Sequence, residues 1–285
     1  MRNLVKPLLK FLFASLLASL MNIANADVLV LIHGYMGSPN SWEKSRINNV
    51  LERNGWQRGG LIIPDTREYF PDPINKLSSD RAKNITYVID MPWMRPLEEQ
   101  ADYLDIAMQR VFKMRPDEDV TLVGHSAGAL VARIWLVQHY QPSVIRLISI
   151  AAPNLGTPRA IDALELTDPI IGPLDAVRSM FGGKLYNTVR HSRNLVYDFT
   201  PPSRSNPNIL YWLNQQPHPD IEYISVVRED RRGHDKDWLI TANSQDLNNV
   251  PALHGRAKSY IVSQDHPLNR EDGHLLAAIL AEKSL

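Results

Sequence analysis

The chain has 285 residues, of which 44% are hydrophobic, and its 31 Lys+Arg balance 31 Asp+Glu. That length and apolar content suit one large domain with a sizeable core, and the balanced charge without a basic stripe argues against a nucleic-acid partner. Cysteine is absent, which excludes disulfides, thiol nucleophiles, cysteine-held zinc and a lipid-modified cysteine.

The first 26 residues read as an address. Arg2, Lys6 and Lys10 precede a short apolar run over 11–21, and Ala24-Asn25-Ala26 fits the small-x-small cleavage rule. A secretory signal peptide over 1–26 is expected, with export to the periplasm or the cell exterior. An uncleaved anchor fits less well, because the run is shorter than the roughly 20 residues that span a bilayer. The mature chain, 27–285, then opens directly on a strand.

That strand, Val28-Leu29-Val30-Leu31-Ile32, is an unbroken apolar run of the kind a buried parallel sheet uses, and it runs into His33-Gly34-Tyr35-Met36-Gly37. Helical spacing of Trp42, Ile47, Val50 and Leu51 predicts a helix over 39–54, stopped by Gly55. Short strands are predicted over 61–64 and 87–90, separated by a Pro- and Asp-rich surface loop over 65–83. Leu97, Ala101, Leu104, Ala107, Met108 and Val111 form one face of a long helix ending near Met114. Next come a strand over 120–123, Gly124-His125-Ser126-Ala127-Gly128, a helical run over 129–135 and a strand over 144–150. Strands alternating with helices imply a mostly parallel sheet covered on both faces.

The stretch around Ser126 carries the most chemistry. A serine at a sharp strand-to-helix turn has a strained backbone that small neighbours permit, and its hydroxyl stands clear of the sheet edge. Acyl transfer through such a serine needs backbone N–H donors for the developing oxyanion. The residue after the serine, Ala127, can supply one, and a glycine-rich turn after a strand can supply another. With its His-Gly-x-x-Gly turn and its Gly-His-Ser-x-Gly elbow, the chain resembles the bacterial lipases and esterases of the α/β-hydrolase superfamily. The segment Ala151-Ala152-Pro153-Asn154-Leu155-Gly156-Thr157-Pro158 resembles a third turn of those enzymes, expected to line the pocket. The resemblance implies an α/β-hydrolase fold and makes Tyr35 the first oxyanion donor.

Between 159 and 220 the alternating rhythm stops. Amphipathic patches broken by Pro169, Gly172-Pro173 and Gly182-Gly183 predict an inserted cap or lid with apolar walls for an acyl chain. Strands resume over 221–227 and 258–263, and a closing helix is predicted over 275–280. The acid of a triad should follow the first of these strands, where Asp230, Asp235, Asp237 and Asp246 are candidates. The run from Asp237 to Ser244 resembles the Asp-Gly-x-Val segment of bacterial lipases, which favours Asp237 over Asp235, although Trp238 stands where that family has glycine. His266 follows the last strand and is the favoured base, with His274 as its competitor; His234 and His254 precede that strand.

These residues imply a secreted serine hydrolase acting on carboxylic esters, lipids or other acyl esters, with Ser126, His266 and Asp237 as triad and Tyr35 and Ala127 as oxyanion donors. The chemistry requires no cofactor or metal, and transient contact with a lipid surface would fit the substrate. The same triad would serve a thioesterase, an amidase or a phospholipase, and a non-catalytic binding module on this fold is the alternative from another class.

Overall fold

The structure is a computed structural model, and it describes residues 27–64, 68–71, 84–157 and 208–282. The expected signal peptide lies outside the described residues, as does 158–207, which holds most of the expected cap. Eight strands form one sheet: β1 (Val28–Ile32), β2 (Gln57–Ile63), β3 (Glu68–Pro71), β4 (Ile85–Ile89), β5 (Val120–His125), β6 (Val144–Ile150), β7 (Glu222–Arg228) and β8 (Ala257–Val262). Their order across the sheet is β3-β2-β4-β1-β5-β6-β7-β8. All neighbours run parallel except the edge pair β2 and β3.

The helices are α1 (Asn40–Lys44), α2 (Ile47–Arg53), α3 (Leu97–Met114), α4 (Ala127–His139), α5 (Ile209–Gln215), the short α6 (Ala242–Gln245) and α7 (Arg270–Ala281). The unbroken apolar character of β1 follows from its place in mid-sheet, where both of its faces are covered. Val28, Val30 and Ile32 pack with Leu97, Leu104 and Met108 of α3 and with Leu130 and Ile134 of α4. Leu29 and Leu31 point the other way, into a second cluster with Trp42, Ile47 and Leu51 and with Leu276 and Ile279 of α7. One strand therefore serves two cores, the alternation that a parallel sheet between helix layers demands.

Several boundaries differ from expectation. The helix predicted over 39–54 is two helices, because Arg46 takes a left-handed conformation, φ 64°, and turns the chain between α1 and α2. Part of the expected loop over 65–83 is a strand, since β3 pairs with β2 from Gly60↔Pro71 to Ile63↔Glu68. The closing helix starts at Arg270, five residues before the predicted start. Its capping box explains this: Asn269 accepts from the backbone of Glu271 and Asp272 while Asp272 accepts from the backbone of Asn269. The carboxyl-terminal end of the expected cap is α5, whose Ile209, Leu210 and Leu213 are buried in the main core.

Candidate active site

Ser126 sits between β5 and α4 with φ 53° and ψ −130°, a backbone region that costs a non-glycine residue about 1–3 kcal/mol. Its own N–H donates to Ile150 O of β6 at 2.9 Å, which anchors the turn to the sheet. The flanking glycines are required by close approach. A Cβ on Gly124 would lie 2.3 Å from Ala129 Cα, and one on Gly128 would lie 2.5 Å from His33 O. Ala127 opens α4, so its N–H belongs to the first turn, which has no acceptor within the helix and carries the positive end of the dipole.

The turn after β1 lies against this elbow. A Cβ on Gly34 would come within 2.7 Å of Ser126 Cβ and 3.2 Å of Ala127 N. Gly37 N–H donates to Gly34 O at 3.0 Å, and Met36 is left-handed at φ 54°, so Tyr35 is held in a tight turn beside the start of α4. Buried His33 fixes that turn. Its Nε2 accepts from Met91 N–H at 3.1 Å, which leaves the proton on Nδ1, 3.1 Å from Gly34 O. The Tyr35 ring meets Trp93 edge-on at 5.5 Å between centroids.

Asp237 and His266 are brought together at the carboxyl end of the sheet. His266 Nδ1 donates to Asp237 Oδ2 at 2.6 Å. Asp237 Oδ1 accepts from Leu239 N at 2.8 Å and Ile240 N at 3.1 Å, and Gln245 Nε2 donates to Oδ2 at 3.1 Å. The carboxylate is fully buried, and the imidazole is 13% exposed. With its proton on Nδ1, His266 presents Nε2 as a proton acceptor.

The His266 loop is braced from β5 as well. His125, the residue before Ser126, donates through Nε2 to His266 O at 3.0 Å, and the two rings lie 5.1 Å apart. Burial and the neighbouring His266 push His125 down to about 3, so it remains neutral with one N–H to give. Among the described residues no hydrogen bond joins the Ser126 hydroxyl to His266; in substrate-free sites that contact commonly closes when substrate binds.

The other candidates have different partners. Asp235 Oδ1 accepts from Ala242 N, and Asp230 holds its own turn through Arg232 N and His234 N. Asp246 accepts from Asn248 N and Ser259 Oγ. His274 lies exposed on α7, His234 pairs with Asp230, and His254 contacts Asn248 O. Trp238 is 64% exposed, so replacing the glycine of the resembled segment brings no steric conflict into the acid loop.

Sequence reasoning missed the polar layer beneath these residues. Arg133 of α4 is fully buried and donates to Asn154 Oδ1 at 3.1 Å, Asn214 Oδ1 at 2.8 Å and His218 Nε2 at 3.3 Å. Burial pushes Arg133 down to about 9; burial, with Arg133 second, pushes His218 down to about 3. Asn154 also donates to Gln245 O at 3.0 Å, and Ser244 Oγ donates to Gly156 O at 2.6 Å. The turn over 151–157, expected to line the pocket, is thus tied to the acid loop. A buried arginine in an otherwise apolar helix was the one signal available. Among the described residues, no group of three or more His, Asp or Glu side chains is arranged to hold a metal ion.

Comparison with curated proteins found no match. Among solved structures, the gene lin2722 product of Listeria innocua has a TM-score of 0.59 at 15% identity, over 91% of this chain and 96% of that one. The mature Bacillus licheniformis lipase BlEst2 has a TM-score of 0.59 at 14% identity, over 91% and 93%. A metagenomic carboxyl esterase has 0.53 at 14%, over 90% and 75%. At such identities the likeness is one of fold. A family model described as the alpha/beta hydrolase fold matches residues 27–246, most of the chain, and with the parallel sheet and its helix layers this makes the chain a member of the α/β-hydrolase family.

Proposed function

We propose that the chain is an exported serine hydrolase that cleaves apolar carboxylic esters through an acyl-enzyme. The observation that carries this reading is the 2.6 Å bond from His266 Nδ1 to a buried Asp237 whose remaining acceptor sites are filled, at the same sheet edge as a strained serine. His266 Nε2 takes the Ser126 proton as Oγ attacks the acyl carbonyl; Asp237 orients the imidazole and stabilises the imidazolium without taking its proton. The N–H groups of Tyr35 and Ala127 receive the oxyanion, each such donor being worth about 10²–10³ in rate. Protonation of the leaving alkoxide by His266 yields the acyl-enzyme. Water activated by the same imidazole then releases the acid.

An apolar acyl substrate is supported by exposed side chains at the carboxyl ends of the strands. Met36 after β1 is 62% exposed, Met94 after β4 is 51% and Trp238 after β7 is 64%, each in a connection that leaves the carboxyl end of its strand. Export is supported by the basic, apolar and small-residue order of 1–26. The test is hydrolysis of p-nitrophenyl esters of increasing chain length, beside matched thioesters and amides, by the protein beginning at Asp27. Loss of turnover in Ser126→Ala and a preference for longer acyl chains support the proposal. Turnover that survives Ser126→Ala, or none in the parent, overturns it.

A further inference from the structure

We propose that Gln245 is a positioning residue for the triad, a fourth member acting through Asp237, and this rests on the triad reading above. Gln245 is fully buried at the end of α6, and every polar atom of its side chain is engaged. Nε2 donates to Asp237 Oδ2 at 3.1 Å and to Ile240 O at 2.8 Å, while Oε1 accepts from Arg228 N–H at 2.8 Å. The amide orientation is therefore fixed by its surroundings: the flipped amide would set an oxygen against two acceptors and an NH₂ against a donor.

The consequence for Asp237 follows from counting. A carboxylate has about four lone-pair sites, and here four N–H groups fill them: Leu239 and Ile240 on Oδ1, Gln245 and His266 on Oδ2. Gln245 supplies the one fixed donor on the oxygen that His266 uses, so it sets where that oxygen lies. It also ties the acid to β7. The backbone of Arg228 holds Gln245, and its guanidinium donates to Gln264 Oε1 at 2.7 Å, near the start of the His266 loop, and to Asp272 Oδ1 at 2.7 Å, in the first turn of α7 that follows it. One residue of the sheet thereby positions the acid through its main chain and the base through its side chain.

The deciding variant is Gln245→Glu, which keeps the shape and the acceptor for Arg228 N–H. A carboxyl group there donates to Asp237 only when protonated, and an adjacent carboxylate raises its pKa above the usual value near 4.3. The kcat/KM of the variant, divided by that of the parent at the same pH, is expected to rise at least about tenfold from pH 8 to pH 5 as the donor returns. Gln245→Leu, which cannot donate at any pH, is expected to lie about 10- to 100-fold below the parent, in kcat rather than KM, with a ratio independent of pH. Both ratios are taken per site titrated by a fluorophosphonate, so that loss of folded protein from a buried charge drops out and a merely structural role gives two flat ratios. A flat Gln245→Glu ratio, or Gln245→Leu within about twofold of the parent, overturns the proposal. Labelling of the parent at Ser126 by a fluorophosphonate separates the two failures: an unlabelled, inactive parent sinks the triad reading, whereas a labelled parent with flat ratios sinks only the role of Gln245.

Discussion

Arg228 and Asp272 meet in a bidentate ion pair, Nη1 to Oδ1 at 2.7 Å and Nη2 to Oδ2 at 2.9 Å, with both side chains buried. The pair joins the end of β7 to the first turn of α7, and the chain between them includes the loop of His266. Asp272 Oδ2 also accepts from Asn269 N–H at 2.9 Å, and Asn269 Nδ2 donates to Gln264 Oε1 at 3.0 Å. The loop is thus closed at its base by a polar ring.

Removing one partner leaves the other as an uncompensated buried charge. Asp272→Asn or Arg228→Met is expected to cost about 3–5 kcal/mol of stability, read from the urea midpoint at unchanged m-value. Arg228→Lys should recover only part of the loss, since an ammonium cannot make the two parallel bonds. A loss below about 1 kcal/mol in both single variants would show that the ring contributes little.

Ser126 presents the reverse case, a residue whose geometry opposes stability. Ser126→Gly relieves the strain of φ 53° and ψ −130°, less the extra unfolded-state entropy of glycine, for a net gain of about 1 kcal/mol. Ser126→Ala keeps the strain and should match the parent. Both should lose ester hydrolysis. Glycine and alanine variants melting at the same temperature would remove the case for stored strain.

Much of this frame was legible in the sequence, for a physical reason. β1 lies in mid-sheet and is apolar throughout, while Gly34, Gly124 and Gly128 are demanded by sub-3 Å approaches, so residue type reveals position there. The turn at Arg46 was not legible, because its left-handed backbone carries no glycine or asparagine to mark it. The Asn269–Asp272 capping box was visible in the residues but was outweighed by the apolar run that follows it. Gln245 and Arg228 were hidden for another reason: their partners lie 5 to 44 residues away, a relation that exists only once β7, α6 and α7 are packed.

Acid should destabilise the protein through two histidines. His125 and His218 are each lowered from 6.5 to about 3, mainly by burial, so the unfolded chain binds two protons that the folded chain refuses. Their contribution is fully present above about pH 6.5 and is lost as pH falls from there towards 3, at roughly 1.4 kcal/mol per pH unit for each group. His218→Gln retains an acceptor for Arg133 and removes one titration. Its stability should therefore fall less steeply than the parent's between pH 6.5 and 4.5, and equal slopes would exclude His218 as a source of acid sensitivity.

Trp238 tests for acyl-chain contact without disturbing the acid beside it. The side chain is 64% exposed, and the loop bonds to Asp237 come from the backbone of Leu239 and Ile240, so Trp238→Gly removes contact area while those bonds remain. If Trp238 holds the acyl chain or its aggregate, kcat/KM on a dissolved acetate ester should stay within about twofold of the parent. On a long-chain ester the loss of roughly 1 kcal/mol of apolar contact should lower it about fivefold. An equal fall on both esters would instead assign Trp238 to the support of Asp237, and no fall on either would remove it from the substrate path.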